Sequence, residues 1–249
     1  MKLRSIALAA LAAVSFGAQA DLYNQNVTTN VVMGTGINNG GFTTDTGSDV
    51  EIGLRARERH DLATNAPTNV TGSNNNGTYN QNAGTPGSPT RARWNFDWSI
   101  NTGTAFVNNY TYLLGMDFDA GVGTNFQTFD LINVVYADHS FGNNSTAQSA
   151  GVEATDASNY VALKASSSLV QNSWNYDFFD TPGGPFSFSP TANGTYSIFL
   201  QAMNGQTVVS RADIDVIVGR GAEVPEPGSL ALLGLGLAGL AAARRRKAA

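Results

Sequence analysis

The stretch GTYSIFLQAMNGQTVVSRADIDVIVG, residues 194–219, decides the fold class of this chain. Its first half alternates apolar with polar side chains, a period that is typical of a strand with one buried face. The apolar face carries Tyr196, Ile198, Leu200 and Ala202. Asn204 and Gly205 then predict a type I′ turn, after which the second half returns as a partner strand. We therefore expect an antiparallel β-hairpin.

Further strand patterns lie upstream of this hairpin. In RWNFDWSI, residues 93–100, one predicted face carries Trp94, Phe96, Trp98 and Ile100. Frequent Gly, Asn, Thr and Ser favour turns and strands over helices. A single helix is predicted after Thr155 or Asp156, either of which can cap its N-terminus. Together these patterns predict a mainly β protein: an antiparallel β-sandwich, of jelly-roll or immunoglobulin-like topology, with one short helix.

Residues 65–89 interrupt the strand patterns. Twenty of these 25 residues are Asn, Gly, Pro, Ser or Thr, and none is charged. Such a composition buries little apolar surface, so we expect a long mobile loop with at most a short strand near Tyr79. We assign the loop to one domain, residues 21–222, because a body of this length suits a single core.

The first 20 residues predict a secretory signal peptide that forms a signal helix. Lys2 and Arg4 precede an apolar run that is too short for an ordinary membrane span. Ala18 and Ala20 then supply the small-x-small pattern of a cleavage site, so the mature chain is expected to begin at Asp21. The Sec machinery is the expected partner of this segment.

Residues 223–249 combine three unlike features in order. Pro225, Glu226 and Pro227 form a stretch that cannot be helical, because each proline fixes φ and lacks a backbone donor. Residues 228–243 are uncharged, and as a helix they would rise about 24 Å, slightly less than a bilayer core of about 30 Å. The basic cluster is Arg244, Arg245, Arg246 and Lys247. A single transmembrane helix is predicted, with its basic end in the cytoplasm and the body outside.

This tail resembles the PEP-CTERM sorting signal of Gram-negative bacteria. The resemblance implies exosortase as a partner, transient anchoring in the inner membrane, and delivery to the cell surface or the extracellular matrix. Similar tails are also labelled ice-binding protein C-terminal domains, but the threonines of this body are aperiodic, so ice binding is not expected. In the body, GLRARERHD and ARWNFDWSINT resemble a PEP-CTERM group of unknown function, which implies no catalytic residue.

Charge and composition disfavour several classes of function. Residues 21–224 hold 8 basic and 18 acidic residues, a net charge of −10, which disfavours nucleic acid as a partner. The chain has no cysteine and 2 histidines. It therefore lacks the material for a catalytic thiol, a thiolate metal site or a multi-histidine centre.

Aromatic residues form the first candidate binding site. Trp94, Trp98 and Trp174, together with Phe96 and Tyr176, could stack on sugar rings and make the body a carbohydrate-binding module. The alternative is that aromatic side chains on one face of a strand fill the core, which is their usual role. Apolar and polar residues alternate along the strand, which favours the interpretation that these aromatic side chains fill the core.

Carboxylates form the second candidate site. Asp117, Asp119 and Asp130 lie on or beside predicted strand ends, and oxygen ligands from loops suit Ca²⁺. The chain lacks a twelve-residue calcium-loop pattern, so solvated turn carboxylates are the favoured interpretation and no cofactor is expected. Paired carboxylates could also hydrolyse glycosides, but nothing in the sequence selects one pair.

A row of arginines is the third candidate. Arg55, Arg57 and Arg59 share one face of a predicted strand. They could hold an anionic polysaccharide, or form a solvated face that protects a sheet edge.

These observations predict an exported, non-catalytic protein of the cell surface or biofilm matrix, with a structural or adhesive role. The alternative is a carbohydrate-binding module that contacts exopolysaccharide, and a glycan-active enzyme is the third hypothesis.

Overall fold

The computed structural model describes residues 20–222, except residues 60, 62–63, 65–67, 86–90 and 181–185. The predicted signal helix, the transmembrane helix and the basic cluster lie outside the described residues. The strands are β1 Leu22–Gln25, β2 Phe42–Gly47, β3 Val50–Glu58, β4 Thr78–Gln81, β5 Trp94–Asn101, β6 Thr111–Asp117, β7 Phe126–Phe129, β8 Ser140–Gly142, β9 Val152–Glu153, β10 Leu169–Asn175, β11 Gly194–Asn204 and β12 Thr207–Val218. The α-helix is α1, Ala157–Lys164.

The strands form two sheets. One has seven strands in the order β1-β2-β3-β5-β10-β8-β9, and the other has five in the order β4-β12-β11-β6-β7. All strand pairs are antiparallel except β4 and β12, which run parallel. The predicted mainly β class with one short helix is therefore confirmed, and the five-stranded sheet is mixed rather than purely antiparallel.

One apolar core joins the two sheets. It contains side chains from the seven-stranded sheet, such as Trp94 and Trp98, and from the five-stranded sheet, such as Leu200 and Ile214. Burial of one large apolar side chain contributes about 1.5–3 kcal/mol, so this shared core supplies the main attraction between the sheets.

The hairpin of β11 and β12 forms as predicted, but its turn lies one residue further along. Asn204 pairs with Thr207, which makes Gly205 and Gln206 the two central residues. Only Gly205 has a positive φ, of 62°, as in a type II′ turn. The predicted type I′ turn at Asn204–Gly205 is therefore wrong: it requires a positive φ at both central residues.

Part of the segment predicted as a long loop is a strand. β4 lies within it and pairs with β12. Tyr79 of β4 is fully buried, and its hydroxyl donates to the carbonyl oxygen of Gly41 at 2.9 Å. The short strand that the sequence allowed near Tyr79 thus joins a sheet through a core aromatic residue.

The α-helix α1 begins where the sequence indicated. Asp156 is its N-cap, and Asp156 Oδ1 accepts the N–H of Asn159 at 2.8 Å. Tyr160 anchors the helix, because this side chain is fully buried and its hydroxyl donates to the carbonyl of Ile132. Within the part of the chain that the structure describes, no helix is long and apolar enough to span a bilayer.

A close approach of β2 and β12 joins one edge of the two sheets. A Cβ atom added at Gly47 would lie 1.9 Å from the carbonyl oxygen of Val209, so only glycine fits there. Beside it, Asp45 Oδ2 accepts hydrogen bonds from Ser210 Oγ and from the N–H of Arg211, each at 2.8 Å. We call Asp45, Gly47 and residues 209–211 the seam.

Candidate functional site

The outer face of the seven-stranded sheet is polar and yet buried. It consists of Glu51, Arg55, Arg57, Asn95, Asp97, Ser99, Asn101, Gln171 and Ser173, which are all buried except the half-buried Ser173. The segment before β2 covers part of this face: Gln171 Oε1, for example, accepts the N–H of Val32 at 2.7 Å. We call this surface the polar face.

An arginine–aspartate–arginine group forms the centre of the polar face. Asp97 Oδ2 accepts from Arg55 Nε and from Arg57 Nε, each at 2.8 Å. Arg55 also donates to the carbonyls of Asn38 and Gly40, and Arg57 to that of Thr68. Two guanidinium groups thus share one carboxylate, and they tie the covering segments to the sheet.

Burial alone would raise the pKa of Asp97, but the positive charges of Arg55 and Arg57 outweigh it and hold that pKa below its ordinary value. Arg55 is 2% exposed and Arg57 is 5% exposed. Neither arginine forms a solvated edge, so that interpretation is wrong for both. Arg55 is enclosed and cannot hold a polysaccharide.

A groove opens at one end of the polar face. It has a volume of about 370 Å³, and its polar lining includes Arg57, Arg59, Asn69, Asp138, Glu153 and Asn172. This volume lies within the range of about 300–1,000 Å³ that is usual for small-ligand sites. We call it the arginine groove.

Arg59 gives the arginine groove a positive charge that the described residues do not neutralise through an ion pair. Burial first, and then the charges of Arg91 and Arg57, lower the pKa of its guanidinium from the usual range. Such a half-buried cation gains stability from an anion, because water solvates it incompletely.

Carboxylates and amides contribute the rest of the arginine groove's polar lining. Asn172 Nδ2 donates to Asp138 Oδ1 at 3.3 Å and to His139 Nδ1 at 3.2 Å. Glu153 of the edge strand β9 is exposed. The groove therefore combines guanidinium donors for an anionic group with carboxylate and amide groups that can bind hydroxyls.

The three tryptophans proposed for sugar stacking are core or partly buried residues. Trp94 is 1% exposed and Trp98 is fully buried, so neither offers a face to a sugar in this structure. Trp174 is half-buried and packs edge-on against Trp98, with ring centroids 5.3 Å apart. Phe96 and Tyr176 are also buried. The core interpretation accounts for these aromatics.

The three aspartates proposed for calcium do not form one site. Asp117 Oδ1 accepts the N–H groups of Asp119 and Asn125, while Asp130 Oδ1 accepts those of Ile132 and Asn133. Asp130 lies beside Tyr112 near the opposite end of β6, about 17 Å away along the strand. Among the described residues no three His, Asp or Glu side chains are grouped to hold a metal ion.

The sequence prediction missed the residues that connect these features. Asp97 lies on the polar face of β5, opposite the face that carries Trp94 and Trp98. The Arg-x-Arg spacing of β3 places two arginines beside it on the neighbouring strand. That combination was a usable signal. Glu153 and Asn172 carried none, because their place in the groove depends on the order of distant strands.

Comparison with known proteins identifies one region of the chain. Residues 223–247 match the PEP-CTERM protein-sorting motif, which includes the predicted Pro225, Glu226 and Pro227. The motif implies an exported protein with membrane-anchored transit and processing by exosortase. No curated protein matches the chain.

Proposed function

We propose that this chain, which carries a PEP-CTERM sorting motif, is a non-catalytic component of the cell surface or the exopolysaccharide matrix. The observation that carries the proposal is the motif at residues 223–247, only a few residues beyond the end of β12 at Val218. A cysteine-free β body joined directly to a sorting signal suits a structural or adhesive role outside the cell.

The proposed route has two processing steps. Signal peptidase cleaves between Ala20 and Asp21 after export by the Sec machinery. The tail then holds the body at the outer side of the inner membrane until exosortase removes it near residues 225–227, and the body is released to the surface or matrix.

Intact mass of the protein from the surface of its native host tests this route. We expect a mass that begins at Asp21 and ends near residues 225–227. The double variant Pro225→Ala/Pro227→Ala should retain the tail, whereas Pro190→Ala, a change in a described loop, should be processed normally. A wild-type surface protein that still contains Arg244–Lys247 would contradict release.

A second candidate function is binding of an acidic polysaccharide in the arginine groove. Two features support it: the half-buried Arg59 cation without an ion pair among the described residues, and the hydroxyl-binding groups Asp138, Glu153 and Asn172 in the same groove. A uronate residue carries both a carboxylate and neighbouring hydroxyls, so it can satisfy both sets of groups.

Polygalacturonate, with dextran as the neutral comparison, tests this binding by isothermal titration calorimetry. We expect polygalacturonate to bind, and Arg59→Gln to weaken the affinity about tenfold, the loss of one charge-assisted pair of about 1.4 kcal/mol. Lys164→Gln makes the same charge change on α1, outside the groove, and should have no effect. Equal effects of the two substitutions would show that net charge alone attracts the polymer.

A further inference from the structure

The start of β1 brings a carboxylate to the seam. Antiparallel pairing joins Leu22 of β1 to Thr44 of β2, so Asp21 lies opposite Asp45. Asp21 Oδ2 also accepts the N–H of Asp213, in β12, at 3.4 Å. Asp21, Asp45 and Asp213 are therefore neighbours where β1, β2 and β12 meet. We call them the acidic cluster.

One oxygen of the acidic cluster lacks a partner. Asp45 is 6% exposed, and its Oδ2 is occupied by Ser210 and Arg211. Its Oδ1 is buried and has no hydrogen-bond partner among the residues that the structure describes. A buried acceptor without a donor costs about 1–3 kcal/mol, and more when it is charged, so the site is incomplete without a donor.

The described side chains do not supply that donor. Arg211 is the nearby cation, but its guanidinium binds Asp213 at 2.6 and 2.8 Å and Gln201 at 3.0 Å. The Tyr79 hydroxyl donates to a backbone carbonyl. Burial first, together with the charges of Asp213 and Asp45, raises the pKa of Asp21 to about 6.

We propose that the acidic cluster is a binding site for a primary ammonium group, and that its occupant is the α-amino group of Asp21 in the mature chain. The proposal rests on the cleavage after Ala20 described above. Hydrolysis of the Ala20–Asp21 peptide bond by water leaves a carboxylate on Ala20 and an ammonium on Asp21. One neutral N–H donor is thereby replaced by three donors with a positive charge, on the residue opposite Asp45.

Signal cleavage would then complete the fold as well as release the protein. β1 is an exposed edge strand of four residues that pairs with β2. An ammonium bound by Asp45 ties the end of this strand to both sheets, because Asp45 lies in the seven-stranded sheet and its Oδ2 accepts the N–H of Arg211 in the five-stranded sheet.

Two chains that both keep the C-terminal tail, studied in detergent, test the site. One consists of residues 21–249 and begins with a free Asp21 amine, and the other retains Ala18, Gln19 and Ala20 before it. We expect the unfolding equilibrium constant in urea at pH 7, followed by tryptophan fluorescence, to be about tenfold smaller for the chain that begins at Asp21. In a second pair that carries Asp45→Asn, the two chains should differ much less.

The pH dependence provides a second readout. In the extended chain the folded pKa of Asp21, about 6, exceeds its ordinary value of 3.8, so stability should fall as pH rises from about 4 to 6. In the mature chain the ammonium should lower that pKa and remove the fall. The pKa of the α-amino group itself should exceed its ordinary value of about 7.7–8.0. The rate of reaction with an amine-specific reagent at several pH values measures this pKa.

Equal unfolding equilibrium constants for the two chains at pH 7, together with an ordinary α-amino pKa, would contradict the proposed ammonium site. The proposed export route is tested separately, by the intact mass of the protein recovered from its native host. A mature chain that begins at another residue would refute the cleavage and the occupant, even if the engineered Asp21 terminus binds.

Discussion

Asp97 is the single residue on which the polar face depends. Its carboxylate is fully buried and is the shared partner of Arg55 and Arg57. A buried ion pair is no guarantee of high stability, because desolvation opposes the attraction, but removal of one member leaves charges buried without compensation. The polar face should therefore be far more sensitive to loss of this acid than to loss of surface acids.

We expect Asp97→Asn to lower the free energy of unfolding by about 3–5 kcal/mol, because two buried guanidiniums lose their counter-charge. Urea unfolding at pH 7 measures this. Asp177→Asn, which removes an acid outside the polar face, should change the free energy by about 0.5 kcal/mol or less. Similar losses in both variants would mean that Asp97 is not needed to balance the arginines.

Asp97 also predicts an acid-sensitive stability. Because its folded pKa lies below the ordinary 3.8, its contribution is complete above that value and is lost as pH falls through the folded pKa. The wild-type protein should lose stability below about pH 4, and the difference between it and Asp97→Asn should shrink there. A difference that stays constant from pH 7 to pH 3 would contradict this assignment.

At the scale of elements, alternation along a strand predicted the core but not the second buried face. The apolar face of β5 lies in the core, as the alternation of its sequence predicted; this face consists of Trp94, Phe96, Trp98 and Ile100. The opposite residues of β5 are polar, and the segment before β2 covers part of the sheet face on which they lie. A one-strand pattern cannot reveal such cover, because it depends on where a distant loop packs. The pairing of β4 with β12 was hidden for the same reason.

The seam gives the clearest test of an element-level contact. Gly47→Ala should lower the free energy of unfolding by about 1–3 kcal/mol, because the new methyl group must displace the Val209 carbonyl and separate β2 from β12. Thr46→Ala, at the exposed neighbouring position of the same strand, should have little effect. Urea unfolding of both variants measures the difference, and equal midpoints would contradict a tight seam.

At the scale of the whole molecule, the described core is complete before the sorting motif begins. All of its buried members lie between Val50 and Val218. The terminal motif was readable from sequence because it is local and ordered, whereas the arginine groove and the acidic cluster each assemble residues from separate segments of the chain. Local signals therefore predicted the sorting motif better than they predicted sites.

A chain that ends at Ala222 should unfold at the same urea concentration as the full chain, because every buried member of the described core precedes residue 219. A chain that ends at Gln206 lacks β12 and should show no cooperative transition. Tryptophan fluorescence during urea titration distinguishes the two. A large loss of stability in the chain that ends at Ala222 would indicate that the tail packs on the body.

The central place of β12 has a consequence for the order in which the protein forms. A ribosome makes β12 last, yet β12 pairs with both β11 and β4 and closes the seam with β2. Until residues 207–218 emerge, β4 has no strand to join and the two sheets cannot lock. We therefore expect chains that lack residues 207–218 to remain open and sensitive to protease, so that folding depends on completion of the last described strand.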